Sequence, residues 1–523
     1  MPFTSAVLAT AAADPEQLAI VGSGAEATEA PSLSYAELVE DSRRMFAVVD
    51  RLHRAQRSAP RPAAETGGIP ITAVSVESAY HAARIVAGLG GYRAVSATMD
   101  PHWPLAHRAR VVLVTGIGLL ISDDRALARE LGSRGWTGTV IGLADFIALE
   151  HGADLVPAPA PAVRDGAEAF LLLFSSGTTS DPKAFVKTRQ QYRENVAVSS
   201  AHLEPLPGVA TLAPGPLSYS LTLYALIECL ATGGSAHLGD GFSAVEMARR
   251  VAEERITRLV AVPAVVQALI DAARRDPARL ATLGLVVTGG ANLPASLRDG
   301  LAEALPQVRL ISYYGAAEIG FIGDSRGGDG TLLDVYPTIG VSVRDDAGAE
   351  VPEGEPGTLW ARAAACSDGY VAGTTDAVLR GPDGWASVGD QARLVGGRLQ
   401  LLGREGDIAI TGGHKVALPE VERAFDGATG IAAVCAVALP HPRLGTVIAL
   451  VVEAAADGAS NSDNAGGAAL DKSRLKRLAS ERLAPQFVPT RWYRMDRLPR
   501  TVGGKIRRSE TAAAVGSGEA VRL

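Results

Sequence analysis

A run of hydroxyl side chains and glycine follows an apolar segment of the chain. It reads SSGTTSDPK at residues 175–183, directly after the apolar residues 170–174. Glycine lets backbone N–H groups approach an anion, the hydroxyls add hydrogen-bond donors, and Lys183 adds a positive charge. The segment therefore predicts a loop that binds phosphates. It is not a P-loop, because G-x-x-x-x-G-K-[ST] is absent, and the chain has no G-x-G-x-x-G fingerprint of a dinucleotide site.

Two more polar loops follow predicted strands further along the chain. The apolar residues 285–287 lead into TGGANLP, and residues 308–313 lead into YGAAEIG. Ligands of parallel sheets bind beyond the carboxyl ends of the strands, where such loops lie. We therefore expect the three loops to form one composite site. Tyr313, at the end of its strand, fits that site and the core equally well.

The elements that position these loops alternate between strand and helix. Helices are predicted at residues 244–254, 263–273 and 294–305, and strands at 258–262, 285–288 and 308–313. Ser34 and Glu37 have the spacing of a capping box ahead of another helix. The apolar run 111–121 is too short to cross a membrane and predicts a buried strand. Alternation of this kind implies parallel sheets covered by helices.

Beyond residue 381 the pattern changes to short strands and a single helix. The predicted strands are 384–389, 392–395, 398–402, 407–411, 431–439, 446–452 and 492–496, and the predicted helix is 472–482. Residues 454–469 predict a flexible loop, and the tail after residue 512 is expected to fray. The expected fold class is therefore α/β, with a large N-terminal body of parallel-rich β-sheets covered by helices and a small α+β C-terminal domain.

Eight segments, in order along nearly the whole chain, resemble the motifs of the acyl-adenylate-forming superfamily of acyl-CoA synthetases, adenylation domains and luciferases. Besides SSGTTSDPK they are GLGGYRAVSATMDP (88–101), TGGANLP (288–294), YGAAE (314–318), SVGD (387–390), GREGD (403–407), GGHKVALPEVE (412–422) and LPRTVGGKIRR (498–508). The resemblance implies an ATP- and acid-binding body at residues 1–402. It also implies a mobile C-terminal segment at residues 403–523, here called the lid, with a hinge near residues 403–406.

The resemblance assigns roles to individual residues. The phosphate-binding residues would be Ser175, Ser176, Gly177, Thr178, Thr179 and Lys183, and the adenine- and ribose-binding residues Gly289, Gly290, Ala291, Tyr314, Gly315, Asp390 and Arg404. Two residues would be catalytic: Lys505 would stabilise charge near the α-phosphate of ATP, and Glu318 would coordinate Mg²⁺. The acid pocket would include Tyr219, Leu221 and Ile319, the hinge would be Gly406, and the tunnel for the thiol would include Gly412 and Gly413.

Three residues depart from the family pattern. Ala317 stands where a hydroxyl is usual, Ser180 stands where a glycine is usual, and Gly406 stands where aspartate or lysine is usual. Slower adenylation, an unusual acid and altered chemistry all remain open interpretations of these changes.

The activity implied is ATP-dependent conversion of a carboxylic acid to an acyl-adenylate, followed by transfer to a pantetheine thiol. The segment GPLSYSLTLY offers no aspartate for an α-amino group, and its neighbourhood favours an apolar or aromatic acid. Coenzyme A is the favoured thiol. The alternatives are a carrier-protein phosphopantetheine, an unusual acid such as nitrite with an amine acceptor, and a catalytically silent nucleotide-binding homologue.

Composition and charge bound the remaining properties. The chain of 523 residues has a net charge of −7, yet residues 471–510 hold twelve Lys/Arg against four Asp/Glu, so the rest carries −15. A basic lid that closes on polyanions and a merely solvated helix both fit this contrast; without a recognisable module, nucleic acid is not expected. Three cysteines without metal spacing, no signal peptide and no long apolar run predict a cytoplasmic protein without a membrane partner. A monomer or a homodimer is expected.

Overall fold

The computed structural model describes residues 3–24, 30–175, 182–241, 243–290, 293–328, 330–411, 414–441, 445–455, 472–483, 485–501 and 504–523. The helices are α1 Thr4–Ala13, α2 Tyr35–Arg54, α3 Ala79–Leu89, α4 Leu105–Thr115, α5 Arg125–Ser133, α6 Leu143–Glu150, α7 Arg189–His202, α8 Ser220–Thr232, α9 Ala244–Glu253, α10 Pro263–Arg275, α11 Ala295–Ala304, α12 Leu418–Arg423, α13 Lys472–Arg482 and α14 Arg508–Ser517.

The strands fall into three sheets. They are β1 Leu18–Val21, β2 Ser32–Ser34, β3 Ile71–Val74, β4 Val95–Thr98, β5 Leu119–Ile121, β6 Thr139–Ile141, β7 Ala169–Ser175, β8 Lys183–Thr188, β9 Ala210–Ala213, β10 Ser235–Leu238, β11 Arg258–Ala261, β12 Leu285–Thr288, β13 Arg309–Ala316, β14 Gly320–Ser325, β15 Leu332–Val335, β16 Gly340–Arg344, β17 Gly357–Arg362, β18 Asp390–Val395, β19 Arg398–Arg404, β20 Ile408–Thr411, β21 His414–Ala417, β22 Ile431–His441, β23 Gly445–Ala454, β24 Arg491–Met495 and β25 Val521–Arg522.

Two of the sheets are rich in parallel pairs, as expected for the body. One has six strands in the order β6-β5-β3-β4-β7-β8, and it is parallel except for β7 with β8. The other is a path of thirteen strands, β16-β17-β18-β19-β15-β14-β13-β12-β11-β9-β10-β1-β2, in which β1, β10, β9, β11, β12 and β13 are parallel. Strands such as β3, β4, β11 and β12 are buried throughout, because helices cover both faces.

The third sheet is built only from residues of the lid. Its order is β21-β20-β23-β24-β25, with β22 also paired to β23. The strand pair β22–β23 and the helix α13 agree with the predicted 431–439, 446–452 and 472–482. The mixture of antiparallel and parallel pairs confirms the α+β character that the sequence predicts.

Local signals in the sequence fix several helix starts. Ser34 Oγ accepts from the Glu37 N–H at 3.2 Å, and the Glu37 carboxylate accepts from the Ser34 N–H at 2.8 Å, so the predicted capping box is formed at α2. Thr188 and Gln191 form a second capping box at α7. Pro263 begins α10, where its missing N–H leaves no bond unmade.

Three predictions about local structure were wrong. Residues 384–389 form no strand, and only Ala386 makes isolated bridges, to Ala361 and Arg380. The run 111–121 is not one strand: its first half ends α4, Gly116 terminates that helix at φ +67°, and only Leu119–Ile121 form β5. The tail after residue 512 does not fray, because α14 continues to Ser517 and β25 pairs with β24. Most of the predicted loop 454–469 lies outside the described residues. No helix in the described part of the chain combines the length and apolarity needed to cross a membrane.

Candidate active site

Two of the predicted loops meet at one edge of the thirteen-stranded sheet. β12 and β13 are parallel neighbours with Thr288 opposite Ser312, so Gly289 and Gly290 leave the sheet beside the end of β13. The first loop leaves β7 in the other sheet, where Ser175 pairs with Lys183. The predicted phosphate-binding residues Ser176, Gly177, Thr178 and Thr179, together with Ser180 and Ala291, lie outside the described residues.

Tyr314, Asp390 and Arg404 form a hydrogen-bonded group on the strands that follow. The phenol of Tyr314 donates to Asp390 Oδ2 at 2.5 Å, and Arg404 Nε donates to Asp390 Oδ1 at 3.2 Å. Asp390 and Arg404 are direct partners in the β18–β19 ladder, which explains their pairing. Burial and the neighbouring Asp390 carboxylate raise the pKa of Tyr314 well above its usual value, so the phenol remains a donor.

Lys505 extends from the lid into this edge of the sheet. Its Nζ and Cε lie 3.9 Å from the point where a Cβ on Gly290 would sit. The turn before it is fixed by Gly504 at φ +80° and by Thr501, whose hydroxyl accepts from the Lys505 N–H at 3.1 Å. Burial lowers the pKa of Lys505, Arg404 lowers it further, and Asp390 raises it in part. The structure therefore brings Lys505 into the electrostatic field of the Asp390–Arg404 pair.

Glu318 connects the two body sheets at the site. Its side chain is buried, and Oε1 accepts from the Tyr370 hydroxyl at 3.2 Å. The ring of Tyr370 lies 5.3 Å from Lys183 Nζ, so this chain of contacts joins the stem of the phosphate loop to Glu318. Burial raises the pKa of Glu318, while Tyr370 and the charges of Lys187 and Arg404 lower it in part. Gly315 needs to be glycine, because a Cβ there would lie 2.5 Å from the carbonyl oxygen of Gly320.

Lys187 and Tyr370 are site neighbours that sequence reasoning missed. Lys187 is fully buried and donates to the carbonyl oxygens of Glu318 at 2.7 Å and Ala365 at 2.5 Å. Burial lowers the pKa of Lys187 to about 8. A lysine inside the otherwise apolar run AFVK was a signal for a buried polar role. Tyr370 gave no such signal.

The three predicted acid-pocket residues lie in different surroundings. Leu221 lines a narrow cavity together with Tyr224, Tyr313 and Phe321. Tyr219 is the residue before α8, at its N-cap position. Ile319 is buried in the large core of the body and does not line that cavity.

The predicted hinge residue sits in an open turn. Gly406 lies in a short 3-10 turn at Glu405–Asp407, and a Cβ added to it would meet no atom within 4 Å. Next to it, Asp407 accepts from the Arg404 N–H at 3.3 Å and from Arg508 Nε at 2.6 Å. Asp407 therefore connects the end of β19 to α14 of the lid. The predicted tunnel residues Gly412 and Gly413 lie outside the described residues.

Comparison with known proteins gives consistent matches over nearly the whole chain. Residues 73–371 match the family described as AMP-binding enzyme, and residues 420–505 match the AMP-binding enzyme C-terminal domain. The chain is 26% identical over 359 residues to a Bacillus subtilis protein named uncharacterized acyl-CoA ligase YhfT, covering 67% of this chain and 69% of that protein.

Two further comparisons concern an enzyme and a solved structure. The chain is 29% identical over 366 residues to feruloyl-CoA synthase of an Amycolatopsis species, covering 66% of this chain and 70% of that protein. It superposes on ATP-bound MatB from Rhodopseudomonas palustris with a TM-score of 0.83 at 19% identity, covering 98% of this chain and 99% of the other. The superposition confirms the predicted architecture of a large body and a small C-terminal domain.

Proposed function

The chain belongs to the AMP-binding enzyme family, and on that premise we propose that it joins a carboxylic acid to a thiol through an acyl-adenylate. In the first half-reaction a carboxylate oxygen attacks the α-phosphorus of ATP, and pyrophosphate leaves. In the second, a pantetheine thiol attacks the acyl carbonyl carbon and AMP leaves. Coenzyme A is the acceptor we favour.

The position of Lys505 is the observation that carries this proposal. Several negative charges converge when a carboxylate approaches ATP, so catalysis depends on positive charge and fixed orientation. Lys505 lies 3.9 Å from the Cβ position of Gly290, within the strand-end site rather than on the surface of the lid. A cation held there faces the place where the α-phosphate of a nucleotide bound over Gly289 and Gly290 would lie.

Asp390 and Tyr314 support binding of the nucleoside. Each carboxylate oxygen of Asp390 accepts one hydrogen bond, from Tyr314 and Arg404 respectively, and each keeps a further lone pair. Asp390 can therefore accept from ribose hydroxyls without losing either partner. Tyr314, held by that bond, offers a fixed aromatic face to the adenine ring.

Glu318 is the residue we propose to hold Mg²⁺. The described residues include no group of three or more His, Cys, Asp or Glu side chains that could hold a metal ion. Magnesium commonly binds one or two carboxylates together with nucleotide phosphates and water, so a single carboxylate fits. Burial disfavours the ionised form of Glu318, and a bound cation would offset that effect. The ion would neutralise phosphate charge as pyrophosphate leaves.

The domain boundary proposed at residues 402 and 403 fits these roles. Lys505 and Asp407 belong to the lid, whereas Gly290, Asp390 and Glu318 belong to the body. Rotation about Gly406 would withdraw Lys505 after the first half-reaction and leave room for the thiol. Such a step separates two reactions that need different groups around the same acyl carbon.

The first experiment measures pyrophosphate release from ATP and Mg²⁺ with a panel of aliphatic, aromatic and amino acids and with nitrite. We expect release with at least one carboxylic acid, and silence across the panel would contradict the proposed enzyme. Lys476→Ala is a matched control for replacement of Lys505 by alanine. It also removes a positive charge from the lid, but an exposed one on α13, away from Gly290. It should leave adenylation unchanged.

The second experiment identifies the acceptor. Coenzyme A, a phosphopantetheinylated carrier protein and a simple amine are offered separately, and the products are identified by mass spectrometry. An acyl-CoA product supports the proposal. A carrier-bound acyl group or an amide would instead assign the chain to one of the alternative ligase types.

A further inference from the structure

Lys187 carries a positive charge into the interior of the body. It lies on β8, in a stretch whose residues 184–187 are all buried. Its ammonium donates to two backbone carbonyl oxygens, of Glu318 at 2.7 Å and of Ala365 at 2.5 Å, and the described residues give it no ion-pair partner. Burying such a charge is costly, and an aliphatic side chain would avoid that cost. Stability alone therefore does not explain a lysine at this position.

The two carbonyl groups that Lys187 joins belong to segments that meet at Glu318. Glu318 itself follows β13, and Ala365 lies in the loop that follows β17. That loop continues to Tyr370, whose hydroxyl donates to Glu318 Oε1 at 3.2 Å. The N–H of Ser367, in the same loop, donates to the Glu318 carbonyl oxygen at 2.8 Å. Lys187 therefore ties the backbone of Glu318 to the loop that also orients its carboxylate.

The strand β8 connects this contact to the stem of the phosphate loop. Its first residue, Lys183, is the last residue of SSGTTSDPK and precedes Lys187 by four positions. Side chains alternate along a strand, so Lys183, Phe185 and Lys187 share one face of β8. Lys183 Nζ lies 5.3 Å from the ring of Tyr370, and Lys187 Nζ lies 6.0 Å from the ring of Phe185. One strand face thus runs from the phosphate loop to Glu318.

We propose that Lys187 is a positioning residue for adenylation, which holds Glu318 through its backbone for coordination of the divalent cation. This inference rests on the proposed function, because that function assigns the cation to Glu318. Lys187 does not bind the cation, since its own positive charge opposes a metal ion nearby. It fixes the backbone from which the Glu318 carboxylate extends. Groups that orient a metal ligand in this way are commonly worth roughly ten- to hundredfold in metal affinity.

The test compares nucleotide binding with and without metal. α,β-Methylene-ATP, which cannot release pyrophosphate, is titrated by calorimetry with Mn²⁺ and again with EDTA. The ratio of the two dissociation constants is the metal-dependent gain in affinity. Lys187→Met removes both donor and charge and should reduce this gain by roughly tenfold or more. The affinity without metal should not change, because Tyr314 and Asp390 remain, whereas a general disturbance of the site would weaken binding under both conditions.

Three further variants make the outcome decisive, and melting curves establish that each is folded. Lys187→Gln ends one bond short of the two carbonyl oxygens, so it should also lower the gain, and it provides the same test if the methionine variant does not fold. Thr374→Val is the matched control. It removes another buried contact of β8, in which Thr374 Oγ1 accepts from the Ala184 N–H at 3.2 Å and Glu318 takes no part. It should keep the gain of the wild type.

Glu318→Gln separates failure of this inference from failure of the proposed function. In that variant the gain should already be small, and adding Lys187→Met should lower it no further, because the lysine acts through Glu318. An unchanged or larger gain in folded Lys187→Met, or an equal loss in Thr374→Val, would overturn the positioning role and leave the proposed function standing. An unchanged gain in Glu318→Gln would contradict the metal role in the proposed function, and this inference with it.

Discussion

Lys505 is the residue on which we propose that adenylation depends. Its side chain lies beside Gly290, where Arg404 lowers the pKa of Lys505 and Asp390 raises it. Burial lowers its pKa, so the surroundings favour the neutral amine more than water does. The proposed role therefore requires the phosphates of ATP to restore the charge when they bind.

Replacing Lys505 by alanine should slow adenylation by several orders of magnitude. The reason is that the group opposite the converging charges is lost, and a single electrostatic contact of this kind is worth about 10²–10³ in rate or more. ATP binding should change little, because Tyr314 and Asp390 remain. Pyrophosphate exchange and equilibrium ATP binding measure the two effects separately, and near-normal exchange would contradict the assigned role.

At the scale of the elements, one buried ionic group joins three helices. Arg84 of α3 donates to Asp41 of α2 at 2.7 Å and to Glu150 of α6 at 2.5 Å. Burial raises the pKa of Glu150 to about 8, although Arg84 lowers it in part. The folded protein therefore holds a proton on Glu150 at a pH where the unfolded chain has released it.

This group predicts a pH dependence of stability that Glu150→Gln should remove. Because the folded state binds the extra proton, the contribution of Glu150 to the free energy of unfolding falls as the pH rises from about 4.5 to about 8. Over that window the decrease should exceed about 1 kcal/mol. Thermal melting at pH 5, 6.5 and 8 measures it. Glu40→Gln, an exposed change on α2, should keep the slope of the wild type, and an equal slope in Glu150→Gln would refute the assignment.

A second contact between elements holds the lid against the body. α11 begins after Pro294, which provides no side-chain cap, and the lid residue Asp426 accepts from the Ser296 N–H at 3.1 Å. Asp426 also hydrogen-bonds the Ser296 hydroxyl. Arg482 fixes the loop that carries Asp426 by donating to the Ala424 carbonyl oxygen at 3.0 Å. A lid side chain therefore caps a body helix in the orientation that places Lys505 at Gly290.

Asp426→Ala should weaken this orientation and slow the first half-reaction selectively. A helix cap is worth about 1 kcal/mol, which corresponds to a decrease in adenylation of roughly fivefold. Thioester formation from supplied acyl-adenylate should not decrease, because it needs the lid to leave this position. Single-turnover assays of each half-reaction test the split, with Asp299→Ala on the exposed side of α11 as the control. Equal slowing of both half-reactions would argue against the proposed role of Asp426 in holding this orientation.

At the scale of the whole molecule, the body and the lid have opposite charge. Residues 471–510 carry +8 although the chain carries −7. This contrast suits a lid that closes on the phosphates of ATP and then on the phosphates of coenzyme A, since both ligands are anionic. Gly406, in the open turn between the two parts, is where we propose that the lid rotates.

Gly406→Pro should impair thioester formation more than adenylation. Proline fixes φ near −65° and removes the freedom that a hinge residue uses during rotation. The ratio of the two single-turnover rates measures the effect. Gly406→Ala is the matched control, because its methyl group enters open space in the present orientation. A proline variant that loses both half-reactions to the same extent would place the rotation elsewhere.

Local sequence patterns were sufficient to predict the fold class and the order of the motif segments along the chain. Strand–helix alternation, the Ser34–Glu37 capping box and the motif loops are local patterns, and the backbone forms them wherever their own residues permit. The strands β12 and β22 and the helices α9 and α13 accordingly lie where they were predicted. The run 111–121 misled because apolarity alone does not distinguish a buried helix end from a strand.

Which side chains meet depends on how distant segments pack in the folded chain. Tyr370 at Glu318, Asp426 at Ser296 and the ring of Tyr313 on Gly289 join residues 24 to 130 positions apart. Their contacts depend on how sheets and lid pack, which periodicity does not encode. Tyr313 shows the difference most clearly, because its sequence position fits site and core equally. In the folded chain its ring packs against the backbone of Gly289 and against Phe321.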